Sequence, residues 1–308
     1  MRRRWTRAKK IRLGVLVALI AVLVGVSIGV VWNGLAPKQP DSVQTGGGES
    51  RPPEEQTPPE EQPPEQPEQP AEESTLPVPL SGKYPEMVVE PQEYQPLAEG
   101  DKVVYLTFDD GPCKTTPQLL DVLDELGVKA TFFVTAQFGD DATLEGYLKE
   151  ISARGHEVAV HSYSHNYKEI YASVDAFLED YKKMDDLIVK ATGKRSSVFR
   201  FPGGSNAGYN KAIRGALLAE MNSRGLVYHD WNAFNGDVEG ANKAEMVQRA
   251  VKECSYTDKS VLLMHNVPGK DAVIESLPEI VKQLNAKGYR FATLDGTVKP
   301  FQFAKVEG

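Results

Sequence analysis

The chain has 308 residues, 35 Lys or Arg against 43 Asp or Glu for a net charge of −8, and two cysteines. That acidic balance excludes a nucleic-acid binder working through phosphate contacts, and two cysteines exclude a disulfide scaffold. The charge is unevenly spread: +7 over residues 1–12, −1 over 37–50, −7 over 51–73 and −7 over the remainder.

Residues 1–12 read as a basic cytoplasmic tail, followed by an uncharged run from Leu13 to Ala36, LGVLVALIAVLVGVSIGVVWNGLA. A bilayer-spanning helix needs roughly 20 apolar residues, so 13–36 is expected to be a transmembrane signal anchor. The positive-inside rule then puts everything beyond it outside the cell. The expected localisation is therefore the cell membrane, single-pass, with the folded part of the chain extracellular. A cleaved secretory signal is the alternative, with small residues at Gly34-Leu35-Ala36, but Pro37 and the length of the run disfavour it.

Residues 37–98 are assigned to a linker. Its centre, RPPEEQTPPEEQPPEQPEQPAEE (51–73), holds eight Pro and eight Glu and cannot bury a core, so a disordered, semi-stiff tether is expected.

From residue 99 to 308 short β-branched runs alternate with amphipathic segments, the signature of parallel strands joined by helices. The predicted strands are VVYLTF (103–108), ATFFVTA (130–136), HEVAVH (156–161), SVFRFP (197–202), LVYHDW (226–231), SVLLMH (260–265) and RFATL (290–294). Five of the six intervening helical segments end on glycine, at 127, 155, 193, 225 and 288. No glycine-rich nucleotide loop follows the first strand. A distorted (β/α) barrel with about seven parallel strands is therefore expected over an open nucleotide-binding sheet.

In either fold chemistry belongs at the carboxyl ends of the strands. Those ends carry Asp109 and Asp110, His161 and His165, Arg200, Asp230 and Asp237, and His265. In HSYSH (161–165) the two histidines would lie about 13 Å apart on a continuous strand, too far to share an ion. The chain is expected to curl by one helical turn, which brings positions i and i+4 within about 6 Å and lets two imidazoles and a carboxylate hold one metal. His156 opens a strand at the wrong end and reads as structural.

TFDDGP (107–112), HSYSH, RFPGG (200–204), the Trp231-to-Asp237 segment and LLMH (262–265) resemble, in this order, the motifs of the NodB-homology polysaccharide deacetylases, carbohydrate esterase family 4. The resemblance implies metal-dependent removal of acetyl groups from an N-acetylated glycan. Asp110, His161 and His165 would hold one divalent ion, zinc by default, with cobalt, nickel or iron able to take the same ligands. Asp109 would be the general base and His265 the general acid, with Arg200 orienting the first and Asp237 tuning the second. Pro202, Gly203, Trp231 and Leu263 would bind substrate. Family members commonly carry an aromatic residue where Gly203 stands and a tryptophan where Val238 stands, so a more open sugar cleft is expected here.

The most specific expectation is a monomeric catalytic domain acting on N-acetylglucosamine units of peptidoglycan. Chitooligosaccharide or biofilm-glucan deacetylation, acetylxylan ester cleavage, and a metal-bearing glycan-binding module without turnover remain as rivals. Cys113 lies beside the first motif, while Cys254 precedes the sixth strand and so sits roughly 20 Å from His265 at the far end of the barrel. A disulfide spans less than about 7 Å between Cα atoms, so no bridge is expected.

Overall fold

Strand β1 (Lys102–Asp109) is buried along all but its first residue, which a parallel strand covered on both faces requires. Its side chains alternate between two cores. Val103 and Tyr105 join Phe133, Ala159, Val198, Val261 and Leu294 in a small interior cluster. Val104, Leu106 and Phe108 belong to the larger core beneath the helices. The odd-numbered positions of β1 therefore form a column up the inside of the fold, and Thr107 and Asp109 are its top two members.

The computed structural model describes residues 76–305. The predicted cytoplasmic tail, the membrane span and the Pro- and Glu-rich centre of the linker lie outside the described residues. No helix among those described is long and apolar enough to cross a membrane.

The sheet comprises β1, β2 (Ala130–Val134), β3 (Glu157–Val160), β4 (Val198–Phe199), β5 (Val227–Tyr228), β6 (Ala233–Phe234), β7 (Lys259–His265) and β8 (Tyr289–Phe291). All pairings are parallel, in the order β5-β4-β3-β2-β1-β7-β6, with β8 against the start of β1. The result is a curled α/β half-barrel. All seven predicted strand regions are present, and β6 is an additional strand that two residues of local sequence do not announce.

The two ends of that path are joined by a short stretch of chain. His229 N donates to Phe199 O at 2.9 Å and, three residues on, Asn232 N donates to Val261 O at 3.2 Å. Asn232 Oδ1 accepts in return from Val261 N at 2.7 Å. The chain thus steps from the β4 side to the β7 side, and β5 and β6 do not pair with each other.

Helices α1 (Thr116–Glu125), α2 (Asp141–Ala153), α3 (Tyr167–Ile170), α4 (Val174–Thr192), α5 (Arg214–Asn222), α6 (Lys243–Cys254) and α7 (Asp271–Ala286) link the strands. Their ends follow sequence rules. Ser173 caps α4 by accepting from Ala176 N, Gly193 closes it at φ 75°, and Asn242 with Glu245 forms a capping box on α6.

Residues 76–97, grouped with the linker on composition, have neither helix nor strand but lie against the domain. Fully buried Arg224, paired with Glu220 at 2.6 Å, donates to Lys83 O and Tyr84 O at 2.8 and 3.0 Å. Met87 is completely buried beside them. At the other end, residues 301–304 strap the mouth of the barrel. Asp230 N donates to Phe301 O at 2.8 Å, and Phe303 N donates to Asp230 Oδ2 at 2.7 Å.

Candidate active site

Asp109 ends β1 facing inward and only 3% exposed. The next residue, Asp110, has φ 72°, a left-handed conformation that aspartate tolerates better than most residues. The turn is held from both sides. Thr135, beyond β2, donates from Oγ1 to Asp110 O at 2.5 Å and from N to Gly111 O at 2.6 Å. Beyond β7, Asn266 N donates to Asp109 O at 2.9 Å, and a Cβ on Gly111 would lie 2.7 Å from Asn266 Oδ1. Only glycine fits that approach. The turn sends the two neighbouring carboxylates in different directions.

Asp110 turns toward the histidines. Its Oδ1 lies 3.5 Å from His161 Nε2 and 3.2 Å from His165 Nε2, and the two rings are 5.2 Å apart. The expected proximity is thus present, but the stretch between the histidines is a series of bends, not a helical turn. The reason is Asp180 on α4, whose carboxylate accepts from Ser162 Oγ at 2.5 Å and from Tyr163 N and Ser164 N at 2.8 Å each. Ser162 Oγ accepts from His165 N at 2.8 Å, and His165 has φ 54°. Side-chain acceptors thereby replace the backbone carbonyls that a helix would supply.

These three residues fit a divalent metal. Their ligand atoms all lie within 4.8 Å of one another, and Asp110 Oδ1 and His165 Nε2 are buried without a hydrogen-bond partner despite their 3.2 Å contact. Two donors each about 2.1 Å from a tetrahedral ion stand about 3.4 Å apart, the spacing seen from Asp110 to both imidazoles. His161 Nδ1 meets Arg200 O at 2.8 Å, which orients its Nε2 toward the cluster. Burial drives the His161 pKa down to about 3, against the pull of Asp110, so the ring is neutral as a ligand must be.

Asp109 turns instead to Arg200, whose Nη1 donates to Asp109 Oδ1 at 2.7 Å and to Thr107 Oγ1 at 2.8 Å. Arg200 is fully buried over the Phe133 ring and also donates to His229 O at 2.8 Å and Asp230 O at 3.1 Å. Burial raises the Asp109 pKa, while the guanidinium opposes the rise. Across the sheet, His265 Nδ1 lies 3.1 Å from each oxygen of the buried Asp237, and His265 N donates to Asp237 Oδ2 at 2.8 Å. Burial pushes the His265 pKa down, but the hydrogen bond to Asp237 and the nearby carboxylates outweigh it and leave it raised. Asp109 and His265 are register partners at the ends of β1 and β7, on the same rim as the candidate metal ligands and in differently tuned surroundings.

Leu263 lies below His265 on the same inward face, 5% exposed. Trp231 is half-buried at the barrel mouth against Phe303, with ring centroids 5.0 Å apart. Pro202 is buried and its carbonyl accepts from Tyr171 Oη at 2.8 Å, while Gly203, at φ 75°, is exposed on the crest of that loop. The expected open space at Gly203 is filled from elsewhere. A Cβ there would lie 2.9 Å from Tyr167 Cε1, so the Tyr167 ring closes that flank, whereas Val238 is 59% exposed.

His156 is structural, its Nδ1 accepting from Ala130 N at 3.1 Å, and His229 is buried in the interior below the site. Both cysteines are buried and free, as expected. Asp180, Asn266, Tyr167 and Phe303 support or border the site, yet carry no local sequence signal. Each acts through partners far along the chain.

The family model for polysaccharide deacetylase matches residues 97–225. A peptidoglycan-N-acetylglucosamine deacetylase of Bacillus cereus is 31% identical over 196 residues, 62% of this chain and 68% of that protein. Among solved structures, the catalytic domain of a peptidoglycan N-acetylglucosamine deacetylase from Eubacterium rectale superposes with TM-score 0.64 at 36% identity, covering 70% of this chain and 98% of that one. A polysaccharide deacetylase of Bacillus cereus gives TM-score 0.57 at 30% identity, covering 66% and 97%. With the motifs folded into one metal-competent site and relatives of this similarity aligned along most of their length, the chain belongs to the polysaccharide deacetylases, the NodB-homology hydrolases of carbohydrate esterase family 4.

Proposed function

We propose that this protein removes N-acetyl groups from N-acetylglucosamine units of peptidoglycan, outside the cell, with residues 13–36 as its membrane anchor. The observation carrying the chemistry is that Asp110, His161 and His165 share one rim with two pairs, buried Asp109 with buried Arg200 and half-buried His265 with buried Asp237. A module that only bound glycans would need neither pair. The substrate reading draws on the relatives, two of which are peptidoglycan N-acetylglucosamine deacetylases.

A divalent ion held by Asp110, His161 and His165, zinc by default, supplies Lewis acidity and lowers the pKa of water at the site. Asp109 Oδ2, the oxygen not bonded to Arg200, takes the proton of the attacking water. Arg200 fixes the other oxygen and prevents rotation of the carboxylate. His265, held at Nδ1 by Asp237, presents Nε2 to the leaving nitrogen and donates the proton that makes the amine a leaving group. Leu263 offers an apolar wall for the acetyl methyl, and the backbone N–H at Gly203 would donate to the developing oxyanion.

The test is acetate release by the full chain from purified peptidoglycan strands, an N-acetylglucosamine tetramer and acetylated xylan, with and without a chelator. Preferred release from peptidoglycan, lost on chelation and restored by zinc, is expected. Faster release from xylan would replace the amide substrate with an ester.

A further inference from the structure

We infer that Tyr209, backed by Tyr167, is a stacking face for the pyranose ring next to the unit being deacetylated. The inference rests on the glycan reading above and adds a residue that sets how the chain is gripped.

Tyr209 is 66% exposed, although an aromatic ring gains most from burial. Its surroundings do not let it swing freely. It sits in a single 3-10 turn, Gly208–Asn210, whose buried Asn210 donates through Nδ2 to Gly204 O and Ser205 O at 3.2 Å each. Arg214 then grips the turn through Nε to Asn210 Oδ1 at 2.9 Å and Nη2 to Ala207 O at 2.8 Å. An exposed ring on a pinned loop is already in place to bind, with little ordering entropy left to lose.

Position supplies the second argument. The Tyr209 ring lies 4.9 Å from that of Tyr167, which in turn meets the metal-ligating candidate His165 edge-on at 5.0 Å. Two ring contacts therefore connect an exposed aromatic face to the reaction centre. Beside Tyr167 lies exposed Gly203, where the absence of a Cβ leaves room for that ring. A pyranose has an apolar C–H face and a hydroxyl edge, matching a tyrosine that offers a ring face and a wet hydroxyl. Tyr256 is equally exposed at 69%, but lies just before β7, at the end of the barrel away from the site, and serves as a control.

The experiment uses the metal-loaded full chain and an N-acetylglucosamine tetramer, reading KM and kcat by acetate release and Kd by calorimetry. A small aryl acetate reports the chemistry without a neighbouring sugar. Tyr209→Ala is expected to raise KM and Kd for the tetramer about tenfold, equivalent to about 1.4 kcal/mol. Its kcat and its aryl acetate turnover should stay within twofold of the unsubstituted protein, with Tyr209→Phe binding normally and Tyr256→Ala without effect. Unchanged KM and Kd in Tyr209→Ala would overturn the stacking face and leave the deacetylase reading standing. If the tetramer bound without being turned over and Tyr209→Ala still weakened Kd, the stacking face would be upheld and the catalytic reading would fail instead.

Discussion

Asp109 and His265 are register partners on adjacent parallel strands, β1 and β7, with inward-facing side chains. Neighbouring strands lie about 4.8 Å apart, so this register alone sets the proposed base and the proposed acid beside one small space. Each is then locked by a different buried partner, Arg200 for Asp109 and Asp237 for His265.

The Asp237 pairing makes a signed prediction about pH. Asp237 raises the pKa of His265, and the general acid must be protonated to work. In Asp237→Asn that support is lost, so His265 deprotonates at lower pH and the alkaline limb of the kcat profile moves toward acid. The peak rate should also fall, because an amide can hold the imidazole in the wrong tautomer. A pH series of acetate release under saturating substrate checks both effects; an unmoved alkaline limb would remove Asp237 from the tuning role.

Asp180 should matter to the metal without touching it. Its carboxylate holds the backbone from Ser162 to Ser164, and so sets where His165 can point. Outer partners of metal ligands are typically worth 10–100-fold in affinity, and Asp180→Ala should weaken zinc by about that factor. Competition against a chromophoric chelator measures it.

How much of this was legible in sequence follows from the range of each interaction. Alternation along β1 marks Asp109 as inward, and the strand-end rule collects Arg200, Asp237 and His265, because both operate within a few residues. The bends at 161–165 were not legible, since they depend on an acceptor on α4 that is in contact only after folding. Likewise Tyr167 and Gly203 meet across 36 residues of chain, so a glycine that suggests open space in sequence is in fact the position that admits a ring from elsewhere. β6 has only two residues and is defined by β7, not by its own pattern.

Two histidines away from the metal predict how stability depends on pH. Burial lowers the His156 pKa to about 4 and the His229 pKa to about 3, and both His229 nitrogens lack a partner. Between these values and the ordinary histidine pKa, the unfolded chain binds protons that the folded one does not, so stability falls as pH drops below about 6.5. Each contributes a slope of about 1.4 kcal/mol per pH unit there. Urea unfolding of the metal-loaded protein at pH 7, 6 and 5 should show the decline, and His156→Gln should make it shallower.

The central claim is that a metal-ligand triad and a separate base divide the two neighbouring aspartates between them. Zinc stoichiometry and acetate release measured side by side on Asp109→Asn and Asp110→Asn test it most directly. Asp109→Asn should bind one zinc per chain with acetate release about 10²–10⁴-fold slower, whereas Asp110→Asn should lose tight zinc binding and activity together. Acetate release by Asp109→Asn at the unsubstituted rate, or full zinc affinity in Asp110→Asn, would contradict the account.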